Sequence, residues 1–231
     1  MTIFFRLVCM FFLLSAHTVT SAAAPLTKAV SKNTISLPEL VEHSIKPQVW
    51  YFKDEAGNAT LDNVRLLFEL GKFKEIDADF NFGFEDSPYW VYLPFSINDE
   101  KSEFTWKDIL LEFNYPHPDN IEIFRSVGDN APEHFMTLGD REMFSNRPIF
   151  DSVFVIPDVL KINENYQYWI KVDTTSSMML LISIWDKNDY IEEKNNRLLA
   201  FGIYYGILMV MILYNVFIGF SIKDQSYLYY V

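Results

Sequence analysis

The sequence predicts a mainly β domain, a jelly-roll-like β-sandwich with one short helix, followed by a transmembrane α-helix. Several short apolar segments are separated by Pro, Gly, Asn and Asp, which is typical of a sandwich. Residues 198–222 carry no charged side chain and exceed the roughly 20 apolar residues that a membrane-spanning helix needs. No series of helical patterns alternates with the strands, so a parallel α/β sheet is disfavoured.

The N-terminus has the pattern of a secretory signal peptide. Arg6 precedes an apolar run at residues 7–16, and small residues follow at 21–24. This run is too short to cross a bilayer. We therefore expect a signal peptide at residues 1–24 and an exposed leader at 25–39, with an uncleaved signal anchor as the alternative. The only cysteine, Cys9, lies in the signal, so the exported chain can form no disulfide bond.

Composition and motifs exclude several classes of function. The chain has 31 acidic and 19 basic residues, which disfavours nucleic acid as a partner. Its four histidines lack metal-ligand spacing, and we find no nucleophile motif or phosphate-binding glycine loop. We therefore predict no metal, no cofactor and no enzymatic activity. A glycan-active enzyme with two carboxylates far apart in sequence, such as Glu112 and Asp140, stays an alternative.

The domain is predicted to extend over residues 40–186 and to contain one helix. Thr60 is suited to cap its start and Gly71 to close its end. The apolar face of this helix consists of Leu61, Val64, Leu67 and Phe68.

The clearest strand is residues 89–97, in which apolar side chains alternate between two faces. One face is expected to be core and consists of Tyr89, Val91, Leu93, Phe95 and Ile97. Further strands are predicted at residues 104–113, 120–127, 134–138, 149–156, 167–173 and 178–185.

Candidate ligand contacts are aromatic side chains, which stack on sugar rings, and polar groups in loops. Trp90 and Tyr92 lie on the less apolar face of the strand at 89–97, where we expect them to be accessible. Tyr115, His117 and Arg147 are the polar candidates. Each residue also has a structural interpretation: Trp90 could cover the sandwich edge, residues 115–118 could form a rigid turn, and Arg147 could pair with Asp140 or Asp151.

The membrane segment is predicted to be transmembrane helix 1, at residues 198–222. Gly202 and Gly206 form a G-x-x-x-G pair and Asn215 can hydrogen-bond across a helix interface, so other transmembrane helices are expected partners. The connector at residues 187–197 could continue the helix outward or form a solvated spacer. Residues 223–231 resemble a cytoplasmic turn and the truncated start of a second helix, which indicates a fragment; an interfacial aromatic tail is the alternative.

Several short motifs occur in a recognisable order. In the domain they are Phe82-Gly83-Phe84, Tyr89-Trp90-Val91-Tyr92, Tyr115-Pro116-His117-Pro118, Ile121-Glu122-Ile123-Phe124, Gly139-Asp140, Arg147-Pro148-Ile149 and Phe154-Val155-Ile156-Pro157. In the membrane segment they are Gly202-Ile203-Tyr204-Tyr205-Gly206-Ile207-Leu208, Leu213-Tyr214-Asn215 and Ser226-Tyr227-Leu228-Tyr229-Tyr230-Val231. This order resembles the bacterial seven-transmembrane receptors with diverse intracellular signalling modules, from about Leu40 onward.

The resemblance implies an extracytoplasmic jelly-roll sensor domain, similar to carbohydrate-binding modules, ahead of seven helices and a signalling output. It implies a small-molecule or carbohydrate ligand, a lipid bilayer partner and a bacterial inner-membrane location. The signal peptide predicts that residues 25–197 lie in the periplasm or outside. The resemblance does not identify contact residues, and a homodimer is left open. The alternative function is a membrane-anchored binding or adhesion domain.

Overall fold

A computed structural model of the chain describes residues 33–77, 79–84, 86–99, 106–115 and 118–222. The predicted signal peptide, His117 and residues 223–231 lie outside these ranges. The described strands are β1 Thr34–Ser36, β2 Gln48–Lys53, β3 Lys74–Asp77, β4 Asp79–Phe84, β5 Tyr89–Asn98, β6 Trp106–Phe113, β7 Asn120–Val127, β8 Glu133–Leu138, β9 Phe154–Lys161, β10 Asn165–Asp173 and β11 Ser177–Asp186. The α-helices are α1 Leu37–Glu42, α2 Leu61–Glu69 and α3 Lys187–Ile222, and a 3₁₀ turn covers Phe144–Asn146.

Over the described ranges the strands form two sheets. The seven-stranded sheet has the order β3-β2-β5-β10-β7-β8, with β1 also paired to β5, and the four-stranded sheet has the order β4-β11-β6-β9. All pairings are antiparallel except the short parallel pair of β1 with β5. The prediction of a mainly β, two-sheet domain followed by a long apolar helix is therefore confirmed.

A single large core fills the space between the sheets. Alternation along β5 directs Val91, Leu93 and Phe95 into it, opposite Ile109 and Leu111 of β6 in the other sheet. All five residues are fully buried. Removing such side chains from water is the main favourable contribution to folding, at roughly 1.5–3 kcal/mol for each large apolar group. The predicted core face of β5 is confirmed.

Helix α2 forms as the sequence predicts. The Thr60 hydroxyl accepts a hydrogen bond from the Asn63 amide, and the Asn63 side chain accepts one from the Thr60 amide, which completes a capping box. At the other end Gly71 has a φ of +68°, a conformation that glycine adopts without strain. The Gly71 and Lys72 amides bond back to the Phe68 and Leu67 carbonyls, which closes the helix in a Schellman motif.

The folded domain begins earlier than the predicted residue Leu40. β1 pairs with the end of β5, and buried Asn33 joins β1 to its neighbours: its amide nitrogen bonds to the carbonyls of Gln48 at 2.6 Å and Pro94 at 2.8 Å. Pro94, inside β5, is tolerated where β1 and β2 leave a gap on that side. A three-residue strand has too little alternation to be recognised in the sequence, and helix α1, also missed, has only six residues.

The strand predicted at residues 149–156 is displaced in the structure. Residues 149–153 belong to a loop, and β9 begins at Phe154 and continues through Pro157 to Lys161. Proline is accommodated because β9 is the edge strand of the four-stranded sheet, where one side needs no backbone donor.

Helix α3 starts directly after β11. Its residue Tyr190 packs on the outer face of the four-stranded sheet against Leu110 and Val155. From residue 195 to 214 every side chain is exposed, so the helix leaves the domain after Lys194. Among the described residues α3 is the one helix long and apolar enough to cross a membrane. The connector predicted at residues 187–197 is helical.

Candidate functional site

The two aromatic residues predicted to contact a ligand are buried. Trp90 and Tyr92 lie on the outer face of the seven-stranded sheet, as expected from alternation, but Tyr92 is covered by helix α2. The Phe68 ring of α2 lies 4.4 Å from the Tyr92 ring and 5.7 Å from the Trp169 ring. Trp90 stacks on Phe124 at 6.1 Å. The expected accessibility of this face is therefore wrong, because a second hydrophobic layer covers it.

This covered layer contains polar groups that the fold leaves unpaired. Within the described ranges, Trp90 Nε1, Tyr92 Oη and Trp169 Nε1 are buried and form no hydrogen bond. Burial also raises the pKa of Tyr92 well above its ordinary value, so its hydroxyl stays protonated. Each unpaired buried donor costs about 1–3 kcal/mol. A polar molecule that entered beneath α2 would satisfy donors that the domain alone does not.

The remaining ligand candidates lie on other elements. The Tyr115 hydroxyl is 3.1 Å from the Ser176 hydroxyl, beyond the end of β6. Arg147 lies in the β8–β9 loop (residues 139–153), where it donates to the Asp151 carbonyl and pairs with Asp140 at 3.4 Å. The structural interpretation of Arg147, a pair with Asp140 or Asp151, is thus observed.

The predicted helix contacts lie on the membrane part of α3. A side chain placed at Gly202 or Gly206 would meet no atom of the described residues within 4 Å, so both glycines leave open space along the helix. Asn215 lies about two and a half turns beyond Gly206 on the same helix. A contact of these residues with another helix stays a prediction.

The passage from β11 to α3 is held by a polar cluster. The Asp186 carboxylate accepts a hydrogen bond from the Asn188 amide at 2.8 Å, as an N-cap does, and pairs with Lys107 of β6. Beside it Lys187 pairs with Asp108 at 2.9 Å. Asp186 is buried, and the pair with Lys107 offsets the cost of removing its carboxylate from water. Sheet and helix are thereby joined through side chains as well as through the backbone.

A second cluster fixes the next two turns of α3. Asp151 of the β8–β9 loop accepts a hydrogen bond from the Tyr190 hydroxyl at 2.9 Å and pairs with Lys194 at 2.7 Å. Burial alone would raise the pKa of Asp151, but the bonds from Lys194 and Tyr190 outweigh burial and lower it below its ordinary value. The carboxylate is therefore charged at neutral pH and clamps the helix to the loop.

A cavity of about 470 Å³ opens at the point where α3 starts, and we call it the junction pocket. Its walls come from α1, β6 and the β11–α3 connection: Leu37, Val41, Trp106, Lys107, Asp108, Asp186, Lys187 and Asn188. Trp106 is 60% exposed, and charged and amide groups surround it. A flat aromatic ring beside hydrogen-bonding groups is suited to bind the face of a sugar or another small polar molecule.

Sequence reasoning missed this pocket because its residues are far apart in the chain. The available signal was Trp106 itself, a large aromatic side chain followed by the charged residues Lys107 and Asp108 at the start of a strand. Another cavity, of about 480 Å³, lies at the β7–β8 hairpin, and Arg125 and His134 are among the residues that line it. Only the junction pocket of these two includes residues of α3.

The described His, Cys, Asp and Glu side chains bear on the metal and enzyme alternatives. In the parts of the chain that the structure describes, no three His, Cys, Asp or Glu side chains are placed to hold a metal ion. Glu112, one of the two carboxylates considered for a glycan-active enzyme, is buried and accepts a hydrogen bond from Trp185 Nε1 at 2.7 Å. Asp140 pairs with Arg147.

Comparisons with known proteins agree with the architecture. Residues 46–186 match the family model described as 7TMR-DISM extracellular 2, and residues 197–231 match the model described as 7TM diverse intracellular signalling. The first match ends at the last residue of β11, and the second begins where α3 leaves the domain. A comparison with curated proteins gives no match. The chain belongs to the seven-transmembrane receptors with diverse intracellular signalling, of which it carries the extracellular domain and the start of the membrane domain.

Proposed function

We propose that the extracellular domain senses a carbohydrate, that the sugar binds in the junction pocket, and that the bound state is transmitted through helix α3. One observation carries this proposal: Lys187 and Asn188, the first residues of the helix, line the same pocket as exposed Trp106. A ligand there contacts the domain and the helix at once. If the ligand binds more tightly to one arrangement of the domain and the helix, it shifts the equilibrium of the receptor toward that arrangement.

The fold is consistent with a carbohydrate-binding module. Strands β4 to β11 alternate between the sheets except at the β7–β8 hairpin, and they follow the orders β4-β11-β6-β9 and β5-β10-β7-β8. This interleaving of two antiparallel four-strand patterns is the basis on which we assign a jelly roll.

The buried pair Trp90 and Tyr92 has a place in the proposal as a second contact surface. Tyr92 reaches a ligand only when helix α2 moves aside, because Phe68 now covers it. Trp90 reaches one only when its stack on Phe124 opens. The unpaired indole and hydroxyl groups favour such a ligand-bound state. We further propose that the receptor lies in the bacterial inner membrane, with a cleaved signal peptide at residues 1–24, and that other transmembrane helices contact Gly202, Gly206 and Asn215.

The test uses the full chain in lipid nanodiscs and a panel of mono- and oligosaccharides. Binding is measured by calorimetry for the wild type, Trp106→Ala and a control, Phe84→Ala, which removes an exposed aromatic ring on β4. We expect at least one saccharide to bind and Trp106→Ala to weaken it by about tenfold, the equivalent of ~1.4 kcal/mol. Phe84→Ala should bind as the wild type does.

The outcomes separate the parts of the proposal. If no saccharide binds, carbohydrate is the wrong ligand class. If a saccharide binds equally well to Trp106→Ala, the junction pocket is the wrong site. Ligand-dependent protection of residues 187–194 from amide exchange is the sign of transmission. Binding without any change in these amides would leave an anchored binding or adhesion domain as the better description.

A further inference from the structure

The β8–β9 loop carries three large apolar side chains that the rest of the described domain does not cover. Met143, Phe144 and Phe150 are 71%, 54% and 65% exposed. The Phe144 and Phe150 rings lie 5.7 Å apart, so two of the three form one continuous surface, and Met143 adjoins Phe144 in the chain. Single exposed apolar residues are ordinary, whereas a grouped set indicates a contact. We call this group the apolar tip.

The apolar tip is held in place by the rest of the domain. The Arg147 guanidinium lies between two rings, 4.8 Å from the Phe144 centroid and 4.3 Å from that of Phe154 in β9. Ile149 packs on the buried cluster that contains Tyr190 of α3. Both Phe144 and the residue before Phe150 are therefore anchored, and the rings are presented outward by a fixed support.

Helix α3 defines where the apolar tip lies relative to a membrane. Lys194 donates a hydrogen bond to the Phe150 carbonyl at 3.0 Å, which places Phe150 beside the last turn that touches the domain. Leu198, the first residue of the uncharged run, is four residues further along the same helix face, about 6 Å along the axis. The headgroup layer on each side of a bilayer is roughly 5–8 Å thick. Phe150 is thus at the level of the headgroups.

We infer that the apolar tip inserts into the outer headgroup layer of the bilayer next to α3. Lys194 and Arg197 precede the uncharged run and would lie at the depth of the lipid phosphates, each paired with a carboxylate, Asp151 and Glu193 respectively. Exposed aromatic and aliphatic side chains at headgroup depth are typical of proteins that rest on a membrane surface. The domain is then attached to the bilayer at two points, the helix and the tip, and cannot swing freely about α3.

The experiment measures depth in the full chain reconstituted in phosphatidylcholine–phosphatidylglycerol vesicles. Cys9 is replaced by Ser, and an environment-sensitive fluorophore is attached at Phe150→Cys or, as a second position, Met143→Cys. The control is Val159→Cys, an exposed apolar site on β9 about 17 Å from Phe154 along the strand, away from the loop. Nitroxide groups on lipid headgroups or on shallow acyl positions quench the fluorophore.

We expect labels at residues 150 and 143 to lose most of their emission to the nitroxide lipids and the label at 159 to lose none. Equal quenching at all three sites, or none at 150 and 143, overturns the inference. Self-quenching between labels on two chains, without quenching by lipid, also overturns it, because a second copy would then cover the tip. This result does not depend on the identity of the ligand that the receptor senses.

Discussion

Replacing Asp151 by Asn tests whether the loop clamps the first turns of the membrane helix. The substitution keeps the size of the side chain and an oxygen that can accept the Tyr190 hydroxyl, but it removes the charge that faces Lys194. The expected result is a local loosening of residues 187–197, with the strand pairing of the two sheets unchanged.

The magnitude follows from the exposure of the pair. The Lys194 and Asp151 side chains are 30% and 12% exposed and 2.7 Å apart, so the pair is more than a surface contact. A hydrogen bond between charged groups in such a position contributes about 1.5–3 kcal/mol. A loss of about 2 kcal/mol raises the open population of these turns roughly 30-fold.

Amide hydrogen exchange of the full chain in nanodiscs measures that population directly. The control is Asp108→Asn, which breaks the Lys187–Asp108 pair at the start of the same helix, where both side chains are about half exposed. An exposed pair contributes less than about 1 kcal/mol, so the control should accelerate exchange less than about fivefold. If Asp151→Asn exchanges no faster than Asp108→Asn, the clamp does not exist.

Three further outcomes follow from the same structure, each measured as unfolding free energy by circular dichroism. Because folding lowers the pKa of Asp151, its charge stabilises the fold at any pH above the ordinary pKa of 3.8, and this stabilisation is lost as the pH falls through the lowered pKa. The difference in unfolding free energy between wild type and Asp151→Asn should therefore be constant near pH 7 and vanish in strong acid. Phe68→Ala should cost about 3–5 kcal/mol, because it empties the layer beneath α2, whereas exposed Leu66→Ala should cost less than about 0.5 kcal/mol. Gly139→Ala should cost about 1–3 kcal/mol, since its Cβ would lie 2.2 Å from the Asp119 carbonyl oxygen.

Local sequence patterns were sufficient to predict most of the fold. Alternation in residues 89–97 identified the core face of β5, and the Thr60 and Gly71 signals identified α2, because both depend on residues close in sequence. The strands at β7, β10 and β11 were predicted to within two residues at each end. The length of the uncharged run was sufficient to predict α3.

The candidate site was less predictable because it depends on packing between distant segments. Alternation placed Trp90 and Tyr92 on the outer face correctly, but no local pattern tells that α2 returns to cover that face. The junction pocket requires α1, β6 and the start of α3 to meet, and α1 itself was too short to recognise. The clamp likewise joins Asp151 to Lys194, which are separated by the whole of β9, β10 and β11.

The direct connection of β11 to α3 fixes the rotation of the domain about the axis of the membrane helix. No linker residue separates β11 from α3, and the first two turns of α3 are bonded to the domain. The rotation of the sandwich about the helix axis is therefore fixed relative to the side chains of the helix. One residue inserted after Lys194 would turn the helix face that carries Gly202 and Gly206 by about 100° and shift it by about 1.5 Å relative to the domain. The number of residues between Lys194 and Gly202 therefore determines which side of the membrane helix the domain lies over.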